Sequence, residues 1–309
     1  MIKYYYKSLR SENIRELEEP KPGTWIHVEA PNEAEIEQLV KKFKFDEGHL
    51  LDALDEDEVP RLERDDDKSY MFVRYSYQND EGDMDTAPLL IAFDAEYIIT
   101  ISLYKLPAID ALLKSNTQFA TTQRTKLILL ILGYISDEYD SSISKTSKRI
   151  KAIRSRLREQ GITNQDLIDF VTIEDELNEF MASLLPTNAA LRRLLAGKQL
   201  ALFEEDEDIV EDVLLNNEQS IEAIRSSLKS ITNIRDAYLA ISSNNLNRTI
   251  TVLTLATILV ALPNVFFGMY GMNVPLPHQQ DSWSFEAIVA INLILITSII
   301  VYARKKKII

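Results

Sequence analysis

The sequence predicts an α/β cytoplasmic domain, a long α-helical stalk and two transmembrane helices, a multi-pass membrane protein. Three observations carry this. Residues 249–272 contain no charged side chain, and such a run crosses a hydrocarbon core of about 30 Å at about 1.5 Å per residue. A second apolar run covers residues 287–303 and is followed at once by Arg304, Lys305, Lys306 and Lys307. Everything before residue 249 is polar enough to live in water and alternates strand-like with helix-like periodicity.

Bulk properties narrow the partners. The formal net charge of -14 over 309 residues makes nucleic acid an unsuitable partner, because phosphate binding needs a basic surface. An acidic surface suits a cation. There is no cysteine, which removes disulfides and thiolate metal sites and fits a reducing compartment. The N-terminal segment lacks the basic-then-apolar order of a signal peptide. No Gly-rich phosphate loop, cysteine nucleophile or histidine cluster argues for an enzyme, since His27, His49 and His278 lie far apart in sequence.

The first 120 residues read as an α/β domain. Residues 2–7, 25–28, 70–77 and 89–101 are strand-like, being β-branched and aromatic, with a turn expected at Asp94 and Ala95. The acidic, Gly-containing stretch 79–85 is expected to turn a hairpin. Residues 31–43 predict a helix: Asn32 is a good N-cap, Glu35 stands three residues on, and Ile36, Leu39, Val40 and Phe43 share a face. Residues 46–54 suggest a second, short helix.

Residues 121–205 form a helical region expected to pack on that domain. Helices are predicted over 126–158 and 162–195, the second broken or bent near Pro186, with Gly161 and Gly197 as punctuation. From Lys198 to Phe267 there is no glycine, and Pro263 is the only proline. One helix starting near Asp206 therefore continues into the membrane run, with 206–248 as a stalk outside the bilayer. Along it Leu214, Ile221, Ile224, Leu228, Ile231, Ile234, Tyr238 and Ile241 follow three-and-four spacing, so one face seeks a partner. The partner is either the helix's own domain or further copies, and the continuation into the membrane favours copies.

The first span, 249–270, is more than an anchor. Asn247, Thr254, Thr257, Ala261, Asn264 and Gly268 fall close to one line on a helix. Polar groups are costly in lipid and usually face a partner helix or water. A polar stripe that ends in a polar loop is what a helix lining an ion path requires. The loop, 271–284, precedes the second span, 285–303, and a basic tail, 304–309. The positive-inside bias places the tail in the cytoplasm, and two spans return the N-terminal region there as well, leaving the loop outside. That placement argues against use of the glycosylation sequon Asn247-Arg248-Thr249.

Tyr270, Gly271, Met272 and Asn273 complete a signature. A YGMN at the outer end of the penultimate span, followed by a short loop, one more span and a basic tail, resembles the CorA family of magnesium channels, and the resemblance covers the whole chain. A second, weaker match is the segment DEDEVPRLERDDDKSY at 55–70, similar to the family's acidic-then-Pro-basic-x-Glu segment. One departure is Pro263-Asn264, where the family is often Thr-rich.

The resemblance implies a homopentamer in the plasma membrane, with five first spans around a pore and the second spans facing lipid. It implies Gly271, Met272 and Asn273 as the selectivity loop and Mg²⁺ as the transported ion, with Co²⁺ or Ni²⁺ as secondary ions. Mg²⁺ gives up its water reluctantly, so neutral oxygens offered to the hydrated ion suit it better than a carboxylate cage. Asn247, Thr257, Asn264 and Gly268 would line the pore. For the three polar ones the competing role is an interhelical hydrogen bond. Ile250 and Leu253 resemble the family's hydrophobic constriction, which closes a pore by dewetting. Between Glu204 and Glu222 nine acidic residues occur without Lys or Arg. Matched to the family, Asp52 and Asp212 are the candidate pair for a regulatory Mg²⁺ held between subunits. A zinc carrier of the same architecture is the alternative, although Met272 favours magnesium. A non-conducting membrane sensor or scaffold is the reading from another class.

Overall fold

The seven strands of the first part of the chain form one mixed sheet in the order β2-β1-β3-β7-β6-β5-β4. The computed structural model describes residues 1–11, 13–80, 82–115, 119–159, 163–196, 202–278 and 280–306, excepting the side chains of 157–159. It divides into two compact units, Met1–Thr232 and Asn233–Ile309.

In the first unit, β1 (Ile2–Tyr6), β2 (Arg15–Leu17), β3 (Trp25–Glu29), β4 (Arg61–Asp65), β5 (Lys68–Gln78), β6 (Met84–Phe93) and β7 (Ile98–Ser102) pair antiparallel, except β3 with β7, which are parallel. The β5–β6 hairpin runs from Ser69 opposite Phe93 to Gln78 opposite Met84. Its turn is tighter than the predicted 79–85, because Asn79 and Asp83 close it and Gly82 takes a φ of +90° that a side chain resists. The β6–β7 turn is an Asx turn: the Asp94 carboxylate accepts from the backbone N–H groups of Glu96 and Tyr97 at 2.7 and 2.8 Å.

Period-two alternation gives the sheet two apolar faces. Tyr70, Phe72, Leu90, Ala92, Ile99 and Ile101 meet α1 (Glu33–Phe43) and α2 (Glu47–Asp52) on one side, through Ile36, Leu39, Phe43 and Leu50. The start of α1 is as its sequence required: Asn32 Oδ1 accepts from the Glu35 N–H at 2.9 Å, and Glu35 returns the bond to the Asn32 N–H at 3.1 Å. The opposite side faces α3 (Pro107–Lys114), α4 (Arg124–Glu159) and α5 (Asn164–Ala196). There His27 is buried with its Nδ1 3.1 Å from Thr100 Oγ1, the oxygen to which Trp25 Nε1 donates at 3.0 Å. Burial pushes the His27 imidazole down to about 4, so it is neutral at physiological pH.

Several expectations need correction. Short strands β2 and β4 and helix α3 were not read from the sequence, the first two because they are short and charged. Helix α5 runs unbroken through Pro186. The missing N–H of Pro186 opens one backbone bond, and Thr187 Oγ1 donates to the Ser183 carbonyl at 2.7 Å in the same turn. Gly161 and Gly197 lie outside the described residues.

Helix α6 covers Glu204–Tyr270. Its acidic first turn complements the positive end of the helix dipole, and the Asp206 carboxylate accepts from the Phe203 N–H at 3.1 Å. The apolar stripe is taken up within the chain rather than left for other copies as far as Ile234. Val210, Val213, Leu214, Ile221, Ile224, Ile231 and Ile234 are buried. Polar ties run down the same seam. Ser136 Oγ of α4 donates to Asn217 Oδ1 at 2.7 Å, Asn217 Nδ2 donates to Asn188 Oδ1 of α5 at 2.9 Å, and Ser147 and Ser227 hydroxyls are 3.1 Å apart. Farther on the stripe opens: Tyr238 is half-buried and Ile241 exposed.

The second unit holds the rest of α6, a loop and α7 (Ser284–Lys305). Two helices of the chain, α6 and α7, are long and apolar enough to cross a membrane.

Asn217 is 2% exposed and bonded at both ends of its amide. Asn217→Ala is expected to cost about 1–3 kcal/mol, because the Ser136 hydroxyl hydrogen loses its acceptor and Asn188 Oδ1 its donor, while Ser136 Oγ keeps only the bond it accepts from Asn216 Nδ2 at 3.0 Å. The measurement is the thermal unfolding midpoint of the detergent-purified full chain, which should fall clearly below wild type. Asn216→Ala, at a half-buried position, should lower it less.

Candidate functional site

The membrane part of α6 has two chemically different sides. At about 100° per residue, Leu255, Leu259, Leu262, Pro263, Phe266 and Tyr270 gather on one side, and these are the partly buried positions of the segment. The second unit is built of the end of α6, a loop and α7, and α7 has its own buried positions at Ser284, Ile288, Asn292 and Ala303, so we assign the partly buried side of α6 to α7. Asn247, Thr254, Thr257, Ala261, Asn264 and Gly268 all lie on the roughly opposite side, and all are exposed on the single chain. Ile250 and Leu253 share that side and are likewise exposed. Local bonding already serves one hydroxyl, since Thr257 Oγ1 donates to the Leu253 carbonyl at 2.9 Å. That bond leaves the Thr257 oxygen's lone pairs facing outward.

The outer end of α6 stops in a tight turn. The Gly271 N–H donates to the Phe267 carbonyl at 3.0 Å, and the Met272 N–H to the Met269 carbonyl at 3.2 Å. A β-carbon on Gly271 would come within 3.2 Å of the Phe267 oxygen. The glycine is therefore favoured by the tight space rather than by a left-handed torsion, positive φ being confined among described glycines to Gly23 and Gly82. Met272 and Asn273 follow as exposed residues. The loop is tied back to the helix by Tyr270, whose hydroxyl donates to the Pro277 carbonyl at 3.2 Å. Farther along, His278 Nδ1 lies 2.7 Å from Asp281 Oδ2, and Ser284 Oγ donates to the His278 carbonyl.

The two acidic candidates are not brought together within one chain. Asp52 ends α2 on one side of the sheet and is engaged by Arg61, with Nη2 2.7 Å from Oδ2. The same guanidinium pairs with Glu58 and Glu63 and lies 4.0 Å from the Phe72 ring centre. Arg61, Leu62 and Glu63 belong to β4, which starts directly after Pro60, so the segment matched to the family contains a strand of its own. Asp212 is exposed on α6, on the other side of the sheet, and lines a cavity of about 400 Å³ with Gly133, Ser136, Asp137, Val213 and Asn216. Burial, and then the charge of Asp140, push the Asp137 carboxyl above the usual range. Among the described residues no three His, Asp or Glu side chains are grouped as a metal centre would require. Part of the acidic run is spent locally: Asp206 caps α6, and Glu218 pairs with Arg192 at 2.5 Å.

A sequence profile of the CorA family, described as CorA-like Mg²⁺ transporter protein, matches residues 21–306. The cobalt/magnesium transport protein CorA of Methanocaldococcus jannaschii is 26% identical over 282 residues, covering 88% of this chain and 87% of that protein. The complete structure of the CorA magnesium transporter from the same organism superposes with a TM-score of 0.88 at 22% identity, over 98% of this chain and 97% of that one. The ZntB cytoplasmic domain from Vibrio parahaemolyticus superposes with a TM-score of 0.64 at 14% identity, over 78% of this chain and 98% of the other.

The two membrane glycines are expected to respond differently to alanine. Gly271→Ala crowds a backbone oxygen and should abolish the function of the outer turn with protein levels intact. Gly268→Ala meets no atom within 4 Å in the chain. Purified Gly268→Ala protein should therefore keep the wild-type melting midpoint, and any loss in a cation-uptake assay then does not come from crowding within the chain.

Proposed function

The chain belongs to the family of CorA-like Mg²⁺ transporter proteins, and from that premise we propose that it is the subunit of a homopentameric channel that admits Mg²⁺ across the plasma membrane. The observation that carries the reading is the two-sidedness of α6. Its polar stripe stands opposite the side assigned to α7 and is left exposed on the single chain. In hydrocarbon, Asn247, Thr257 and Asn264 would be expensive to leave facing lipid. Five copies of α6 around a common axis turn those oxygens toward water, and each α7 then lies outside.

On this reading the ion first meets the Gly271-Met272-Asn273 turn. Asn273 and nearby carbonyls offer neutral oxygens to hydrated Mg²⁺, and no carboxylate between Thr249 and Asn273 strips its water. The ion then passes Gly268, Asn264 and Thr257, and Leu253 and Ile250 form an apolar ring that closes the path by dewetting. Asn247 takes the ion at the cytoplasmic mouth. Co²⁺ and Ni²⁺ share the octahedral preference and follow as secondary ions.

Regulation is proposed at the subunit boundary. Asp52 and Asp212 lie on opposite sides of one sheet, so only neighbouring copies can bring one of each together. Cytoplasmic Mg²⁺ bridging them favours the closed arrangement, and its loss shifts the population toward conduction. Arg61 already neutralises Asp52 in part, so the ion must compete with it.

Two measurements test the proposal. Asn273→Ala should remove Mg²⁺ uptake in transport-deficient cells without loss of membrane-inserted protein, and full uptake would reject the selectivity assignment. The double variant Asp52→Ala, Asp212→Ala should carry current at internal Mg²⁺ that blocks wild type. Block at the wild-type concentration would reject the regulatory pair and leave the pore intact.

A further inference from the structure

Asn292 is a buried amide in the second span, set between Ile291 and Leu293 and away from the span's other polar side chains at Glu286, Thr297, Ser298 and Tyr302. It is 4% exposed. Its Nδ2 donates to the Ile288 carbonyl of its own helix at 2.9 Å, while its Oδ1 is buried without a hydrogen-bond partner among the described residues. An unpaired buried acceptor is destabilising, and more so in lipid, where no solvent replaces the missing donor.

A second open acceptor lies at the same depth. Pro263 has no N–H, so the carbonyl of Leu259, four residues earlier, has no helical donor. Pro263 is seven residues from the outer end of α6 at Tyr270, and Asn292 is eight from the outer end of α7 at Ser284. At about 1.5 Å per residue both sit about 10–12 Å below those ends. Leu259 and Pro263 belong to the side of α6 assigned to α7, and Asn292 to the buried side of α7. The two open oxygens therefore fall on the partly buried side of α6 and the buried side of α7, at similar spacing from the helix ends.

We propose that Asn292 is a positioning residue for the pore helix. Its Oδ1 and the Leu259 carbonyl share one buried water, which donates a hydrogen to each, while the amide keeps its bond to Ile288. Water inserted at a proline is a recognised way to complete a broken helical ladder, and a buried water needs two or more polar partners, which these two oxygens provide. The link fixes the bend at Pro263 and with it the direction in which Asn264, Gly268 and the outer turn face. This inference rests on the reading of α6 as the pore helix.

The test is a double-substitution cycle read as Mg²⁺ flux per surface-labelled channel, together with the Mg²⁺-to-Co²⁺ uptake ratio. Asn292→Leu is expected to lower flux per channel roughly tenfold and to change the uptake ratio, the size expected when one buried polar link is lost. Asn292→Gln, which keeps the amide, should recover most of both. In a Pro263→Ala background, where the helix supplies the donor itself, Asn292→Leu should change flux less than about twofold. Equal losses in both backgrounds, or an unchanged ratio and flux per channel, would overturn the proposal. Should Asn292→Leu fail to reach the membrane, Asn292→Thr, which keeps one hydroxyl, is compared in the same two backgrounds under the same criteria. If Asn264→Ala and Asn273→Ala also leave flux untouched, the pore reading has failed. If they impair flux while Asn292→Leu does not, only the role of Asn292 has failed.

Discussion

A polar side chain in hydrocarbon has to be covered, and the membrane half of this chain is arranged around that cost. The membrane part of helix α6 carries both a partly buried apolar side, assigned to α7, and a polar side that stays exposed among the described residues. One helix cannot hide both sides with a single neighbour. On the proposed reading, the remaining exposure of Asn247, Thr257 and Asn264 is answered by an aqueous axis shared between copies, with the outer turn at Gly271 at its mouth. The Leu259 carbonyl, left without a donor by Pro263, and Asn292 Oδ1 apply the same constraint in miniature, as open acceptors away from bulk water.

The soluble unit follows the ordinary rule that both faces of a sheet need cover. Helices α1 and α2 close one face, and α3, α4 and α5 the other, while α6 adds a further layer through Ser136, Asn188 and Asn217. Buried amides and hydroxyls in that seam tie the early part of α6 to its own domain in one register. The acidic run is accordingly not a single feature. Asp206 stabilises a helix start, Glu218 answers Arg192, and Asp212 is left at an open cavity. On the proposed reading, that division of labour separates acids that hold the fold from acids free to respond to an ion.

Much of the architecture was legible because it depends on local patterns. The Asn32–Glu35 cap, the Asp94 turn and the two apolar runs each draw their signal from residues close in sequence. The three-and-four stripe of α6 was legible as a stripe, but its partner was misjudged. Periodicity reports that a face is apolar and says nothing of what covers it, and the buried Ile224 and Ile231 belong to the domain interior. Pro186 does not break α5, because a helix held by its surroundings tolerates the one backbone bond it loses.

The sequence alone determined the uncharged length of the spans, their order before a basic tail, the Tyr270-to-Asn273 signature and the line of small and polar residues along α6. These are distances along one chain, fixed by helix periodicity. Only the tertiary structure decided which side of the membrane part of α6 is partly buried, that Asp52 is held by Arg61 on the far side of the sheet from Asp212, and that Asn292 is buried with an unpaired oxygen. Those depend on which elements pack together, and packing joins residues whose separation in sequence carries no local pattern.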